Sequence, residues 1–273
     1  MNYRHIYHAG NFADVFKHIL VLMMVDYLQE KEKGLFLLDA FAGLGLYDLN
    51  SVEARKTEEF LAGVSKIMEQ ERINPDLRLY QNAVAPYWNY KQYPGSPLLL
   101  AEKLRCQDRL LANELHPEDV CELECVLATF PAARVTKVDA YESIRAHIPP
   151  SERRGLVLVD PPFEKKDEFD LLVRQMKEWK KRWETGCYVI WYPIKSHLAV
   201  DALHLAARDL GIKRTWVAEF LLRERSAPES LNGCGVLVFN TPFQIPERLA
   251  ALAPELVSAL GYGRIESYDL FVS

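Results

Sequence analysis

Gly155-Leu156-Val157-Leu158-Val159-Asp160-Pro161-Pro162-Phe163 decides the fold class. Five apolar residues without polar alternation read as a strand buried on both faces, the kind that parallel sheets carry between layers of helix. Two prolines end it, because each fixes φ and removes a ladder donor. The turn then offers mainly acceptors: the Asp160 carboxylate and the Pro161 carbonyl, with the Phe163 ring beside them. Such a set suits a planar amino group, for instance the exocyclic amine of a nucleobase. A bare Asp-Pro-Pro can also be an ordinary strand-ending turn, and Phe163 can equally belong to the core. The other strand ends therefore decide.

Working outward, apolar strand patterns occur at Leu35–Ala40, Leu110–Glu114, Val135–Val138, Leu156–Asp160, Cys187–Tyr192, Thr215–Leu221 and Gly235–Asn240. They alternate with helical stretches, which predicts an α/β fold around a mostly parallel sheet. An eighth strand, Ile265–Val272, is expected at an edge. A helix is predicted from Phe12 to Lys31, with Asn11 as N-cap and Val15, Ile19, Leu22, Met23 and Leu28 on its core face. About seventy residues separate the first two strands, too many for one crossover helix. Their first part, roughly 46–92, reads as an inserted helical subdomain. Tyr93-Pro94-Gly95-Ser96-Pro97 then opens a helix, with Ser96 expected as N-cap and Pro97 at N1. The whole chain, 1–273, reads as a single domain, with an N-terminal tail and helix over 1–33.

The first strand ends Asp39-Ala40-Phe41-Ala42-Gly43-Leu44-Gly45, where Gly43 and Gly45 permit a sharp turn and a close approach to a ligand. Ligands of open α/β sheets bind outside these carboxyl ends. A third glycine is absent, since residue 48 is Asp48, and this disfavours NAD or FAD. The second strand ends at Glu114, an acid placed to accept hydrogen bonds from ribose hydroxyls. The third ends Val138-Asp139-Ala140, where a carboxylate can take an adenine amino group. The fourth ends at Asp160. Any one of these acids could be a helix cap, but four in succession point to a nucleoside-containing cofactor.

The formal charge of −5 argues against a surface coated for nucleic acid, although Arg153-Arg154 and Lys165-Lys166 bracket the Asp160 turn. The longest apolar run, 19–25, is too short to span a bilayer. Five cysteines without framework spacing suggest reduced thiols and a cytoplasmic protein. Cys121 and Cys125 lack a second ligand pair, and His5, His8 and His18 lack a carboxylate-rich partner motif, so no metal is expected. No cysteine follows a proline in a Pro-Cys turn, which disfavours cytosine-C5 methylation.

Together these motifs resemble the seven-stranded, Rossmann-like methyltransferases that use S-adenosylmethionine (SAM), in particular the amino-methylating group. The fuller resemblance is to the RlmJ (YhiR) family of bacterial 23S rRNA adenine-N6 methyltransferases. It is carried by Tyr3-Arg4-His5, His8-Ala9-Gly10-Asn11, Ala13-Asp14-Val15, Lys17-His18, Tyr93–Pro97, Glu114-Leu115-His116-Pro117, Asp160-Pro161-Pro162 and Trp191-Tyr192-Pro193. The resemblance implies SAM contacts at His18, Ser96, Glu114, Asp139 and Ala140; the strand-end turns add Gly43, the Phe41 backbone and Asp160 to the expected cofactor site. It implies catalysis at Asp160, to which the chemistry of the acceptor turn adds Pro161 and Phe163, and RNA contacts at Tyr3, His5 and Lys17. Phe41 departs from the family histidine at that position. A monomer acting on 23S rRNA, with no membrane and no stable protein partner, is the expected state. An enzyme acting on DNA adenine, a non-catalytic SAM-binding assembly module and a protein-glutamine methyltransferase are the alternatives; the last usually carries Asn in place of Asp160.

Overall fold

The computed structural model describes residues 4–71, 74–165, 167–195, 197–223 and 230–271. Tyr3, Lys166 and Val272 lie outside the described residues. The strands are β1 (Phe36–Asp39), β2 (Leu46–Asp48), β3 (Gln92–Pro94), β4 (Arg109–Asn113), β5 (Ala133–Thr136), β6 (Gly155–Val159), β7 (Cys187–Ile194), β8 (Thr215–Leu221), β9 (Gly233–Phe239) and β10 (Arg264–Asp269). The helices are α1 (Phe12–Gln29), α2 (Val52–Thr57), α3 (Glu59–Ala62), α4 (Val64–Met68), α5 (Pro75–Trp88), α6 (Ser96–Glu102), α7 (Pro117–Leu127), α8 (Ala140–His147), α9 (Glu168–Arg182), α10 (His197–Asp209) and α11 (Ile245–Leu260).

Eight strands form one sheet in the order β10-β8-β9-β7-β6-β1-β4-β5. The run from β5 to β7 is parallel, and β9, inserted between β7 and β8, is antiparallel to both. From β1 the chain first builds outward through β4 and β5, then returns to place β6 on the other side of β1. That reversal makes the β1/β6 boundary the topological switch point, where open α/β sheets bind ligands. The ends of these two strands carry Asp39 and Asp160.

Both sheet faces are covered. Leu37, Leu110, Ala112, Leu156 and Leu158 point into one apolar core with α1, α6 and α11. Phe36, Leu38, Leu111, Val157 and Val159 point into the other, beneath α8, α9 and α10. The alternation of neighbours between two cores explains why β1 and β6 lack polar residues before their ends.

Asn11 caps α1 as predicted, accepting from the Ala13 and Asp14 amides at 2.9 and 3.0 Å. The helix has no solvated face over Phe12–Val25, all of which is buried. The reason lies in the inserted segment, whose Val64, Ile67, Leu77, Tyr80 and Val84 join the same core as α1. That segment is not helical throughout. Its ends pair as a short antiparallel ribbon, β2 with β3, three residues each and too short for a period to show. Arg248 of α11 locks the assembly by bonding Asp76 on α5 and Asp26 on α1. Among the described residues no helix is long and apolar enough to cross a membrane.

Candidate active site

A cavity of about 680 Å³ opens over the carboxyl ends of β1, β4, β5, β6 and β7. Its size is that of a small-molecule site. One end is organised by Glu114. This carboxylate bridges two turns, accepting from the Gly43 amide at 2.8 Å through Oε2 and from the His116 amide at 2.7 Å through Oε1. Gly43 has φ +65°, and a Cβ there would lie 2.3 Å from the Tyr47 hydroxyl, so only glycine fits. Each oxygen of Glu114 has given one lone pair to the backbone and keeps another for a ligand.

Asp139 caps α8, its Oδ1 accepting from the Tyr141 and Glu142 amides. β5 stops at Thr136, three residues earlier than the acid and two before the predicted strand end. The intervening bend is held by Asn113, which the sequence pattern did not single out. Asn113 is 1% exposed and bonds the Ala40 and Val138 carbonyls and the Thr136 hydroxyl, tying together the ends of β1, β4 and β5. A lone amide inside an apolar strand was the available signal, because a buried amide requires partners.

Ser96 is not the N-cap of α6. Gly95 holds that place, with its amide on the Gly45 carbonyl at 2.8 Å and its carbonyl accepting from Leu99. The cap thus lies one residue earlier than expected, at a position where a side chain would strike Tyr47. Ser96 is thereby released from capping and sits buried beside Asp39. Asp39 is fully buried, its Oδ2 has no partner, and burial pushes its carboxyl up to about 6, against the pull of Ser96 and Lys17. It is not itself among the residues that line the cavity.

His18 lies on the cavity wall, 1% exposed, with Nδ1 bonded to the Tyr93 hydroxyl at 2.7 Å; Tyr93 in turn meets the Tyr80 hydroxyl at 3.1 Å. Burial, reinforced by the Lys17 charge, pushes its imidazole down to about 3, so it is neutral. Its Nε2 is buried without a partner. Phe41 and Ala140 line the same wall, Phe41 edge-on to Tyr141 at 5.8 Å.

At the other end stands Asp160. Its Oδ2 is ion-paired with Lys17, whose ammonium also bonds Asp14 Oδ1 at 2.9 Å. Asp14 Oδ2 accepts from the Gly10 amide and meets His5 Nε2 at 2.9 Å. Burial opposes the charge on Lys17, yet the two carboxylates hold its ammonium well above the ordinary lysine range. Burial likewise opposes the charge on Asp14, and His5 and Lys17 hold its carboxyl well below the usual range. Lys17 is 4% exposed, so its charge faces these carboxylates and not a surface polyanion. Asp14, which the sequence shows only within the Ala13-Asp14-Val15 string, is the hub of this row.

Pro161 and Phe163 line the cavity beside Asp160. Phe163 has φ +48° and packs against Phe169 at 4.9 Å and Trp191 at 5.9 Å between ring centres. One face of a half-buried aromatic group is thus fixed by the core while the group borders the cavity. His5 lines the cavity too, 5.3 Å from the Tyr47 ring. Arg4, just before it, is clipped to Glu118 and Asp119 of α7.

A family model described as ribosomal RNA large subunit methyltransferase D, RlmJ, matches residues 32–266. The chain is 36% identical to the ribosomal RNA large subunit methyltransferase J of Haemophilus influenzae over 95% of its length and 94% of the relative's. It is 35% identical to the Escherichia coli protein of the same name, with the same coverage. Among solved structures it resembles protein LPL1258 of Legionella pneumophila, at 31% identity and a TM-score of 0.87 over 96% of this chain and 98% of that one.

Proposed function

The chain belongs to the RlmJ family of ribosomal RNA large subunit methyltransferases, and we propose that it methylates the exocyclic N6 of an adenine in 23S rRNA with SAM as methyl donor. The observation that carries the adenine reading is the Asp160-Pro161 pair of acceptors, set beside Phe163 on the wall of the cavity that also holds the nucleoside-type acids.

The residues present fit SAM. His18 Nε2, on the cavity wall, is a buried polar atom with no partner among the described residues. Glu114 would hold the ribose hydroxyls and Asp139 the adenine amine, while Gly43, Ser96, Ala140 and the Phe41 backbone would enclose the rest. When bound, SAM supplies an electrophilic methyl group on a sulfonium.

The protein's contribution is to the acceptor. An adenine amine is a poor nucleophile because its lone pair is delocalised into the ring. Asp160 Oδ1, which has no partner among the described residues, accepts one N–H and the Pro161 carbonyl accepts the other. Together they draw the nitrogen toward tetrahedral geometry and aim its lone pair, which is catalysis by positioning and preorganised electrostatics. Lys17 fixes the carboxylate from the opposite side, so its orientation is set before the base arrives. Once the nitrogen has become cationic, its proton passes to Asp160 Oδ1. Phe163 stacks on the base, a contact that stabilises by about 1–3 kcal/mol in single-strand recognition. The base must be single-stranded or flipped out to reach this site.

The test is methyl transfer from labelled SAM to purified 23S rRNA and to plasmid DNA, followed by nucleoside analysis. N6-methyladenosine in RNA is the expected product. Label in DNA alone, or in another nucleoside, would refute the reading.

A further inference from the structure

The carboxyl edge of the sheet is divided by charge. On the β1, β4 and β5 side the strand ends present Asp39, Glu114 and Asp139. On the β6, β7 and β8 side, beyond Asp160 and its Lys17 partner, the segments after the strands present Lys165, Lys195 and Arg223. Lys165 and Lys195 border the same cavity as Asp160. Arg223 is placed by register: Ile194 of β7 and Leu221 of β8 both pair with Gly233 of β9. The Asn232 backbone continues that ladder, donating to Ile194 and accepting from Leu222 at 2.8 Å each. Lys195 and Arg223 therefore leave the sheet on either side of Asn232, next to Leu222, which itself lines the cavity.

All three basic residues are exposed, and none has an ion-pair partner among the described residues. Among the described residues Arg223 has a long contact, 3.5 Å to the Leu231 carbonyl. The acids of the same wall are Glu164, which has a partner of its own, and the buried Glu168, which faces the Lys165 charge. In a chain of net charge −5, this is where a polyanion can approach the cavity without meeting the cofactor-side acids.

We propose that Lys165, Lys195 and Arg223 form a phosphate rail that holds the RNA strand flanking the target adenine. The inference rests on the RNA methylation reading and adds where the backbone runs: along the β6-β7-β8 edge, with the base dipping toward Asp160. Contacts of this kind set register and affinity without reading sequence.

The experiment compares the wild type with the triple variant Lys165→Gln, Lys195→Gln, Arg223→Gln, using an RNA stem-loop and a salt titration. Losing three phosphate contacts on a single strand should make the slope of log affinity against log salt shallower by about 2. KM for RNA should rise roughly tenfold, as expected for three exposed ion pairs, with SAM affinity unchanged. The charge-preserving triple Lys165→Arg, Lys195→Arg, Arg223→Lys should restore the slope. A wild type active on RNA whose glutamine triple keeps both slope and KM overturns the rail alone. A wild type that methylates plasmid DNA and no RNA overturns the reading beneath it as well.

Discussion

Lys17 on the first helix and Asp160 at the end of β6 lie 143 positions apart and form one ion pair inside the cavity wall. The pair joins the N-terminal segment to the acceptor turn, and Asp14 extends it to the His5 ring. The row of Lys17, Asp14 and His5 that anchors the N-terminal segment is therefore also what holds Asp160, the proposed acceptor-side carboxylate.

Lys17→Met should unfold more easily than the wild type by about 3–5 kcal/mol, the usual cost of leaving buried charge uncompensated. Urea denaturation at neutral pH measures this. A loss below about 1 kcal/mol would mean that the carboxylates find other compensation.

Asp160→Asn should lower the rate of methyl transfer by about 10²–10³, the range for removing one preorganised electrostatic group. SAM affinity, read by calorimetry, should stay close to that of the wild type, because Asp160 serves the acceptor end. Equal losses in both would move Asp160 to the cofactor side.

Two buried groups make stability depend on pH in opposite senses. Asp39, raised to about 6, binds its proton more tightly folded than unfolded, so its contribution falls as pH rises from about 4 to about 6. His18, lowered to about 3, stays neutral when the unfolded chain's imidazole protonates, so its contribution falls as pH drops below about 6.5. Each amounts to a few kcal/mol at most. Between pH 7.5 and 4.5, Asp39→Asn should lose more stability than the wild type and His18→Asn less. Chemical denaturation of the three proteins at both pH values decides it, and parallel curves would refute both assignments.

Gly43→Ala should cost about 1–3 kcal/mol of stability and weaken SAM binding together. The added methyl meets the Tyr47 hydroxyl in a conformation that alanine resists. Melting temperature and SAM affinity, measured on the same preparation, should both fall; a variant that melts lower yet binds normally would show that the turn does not shape the cofactor end.

Much of this was legible in the sequence because it depended on strand ends. An apolar run followed by an acid, as at Val159-Asp160 or Asn113-Glu114, states both where a sheet stops and what faces the ligand. Partnerships across the chain were not legible. Nothing local marks Asp14 as the partner of Lys17 rather than an ordinary first-turn acid, since that depends on where residue 160 arrives in space. Ser96 shows the same limit: a serine before a proline reads as a cap, while Gly95 takes that place with its amide bonded to the Gly45 carbonyl, far away in sequence. The buried outer face of α1 was hidden for a related reason, because its cover comes from an insertion whose packing partner is not its neighbour in sequence.

Synthesis order adds a burden that follows from the sheathed first helix. α1 leaves the ribosome early, but Phe12 and Phe16 pack on Phe220, and the covering α11 begins only at Ile245. At roughly 5–20 residues per second, the face of the helix that meets Phe220 and α11 waits about ten to forty seconds for those partners, although the inserted segment emerges in time to cover its other face sooner. The protein that modifies the ribosome's RNA is thus one whose own emergence calls for shielding, and slowed translation would raise its yield of aggregate before it altered any measured activity of the folded enzyme.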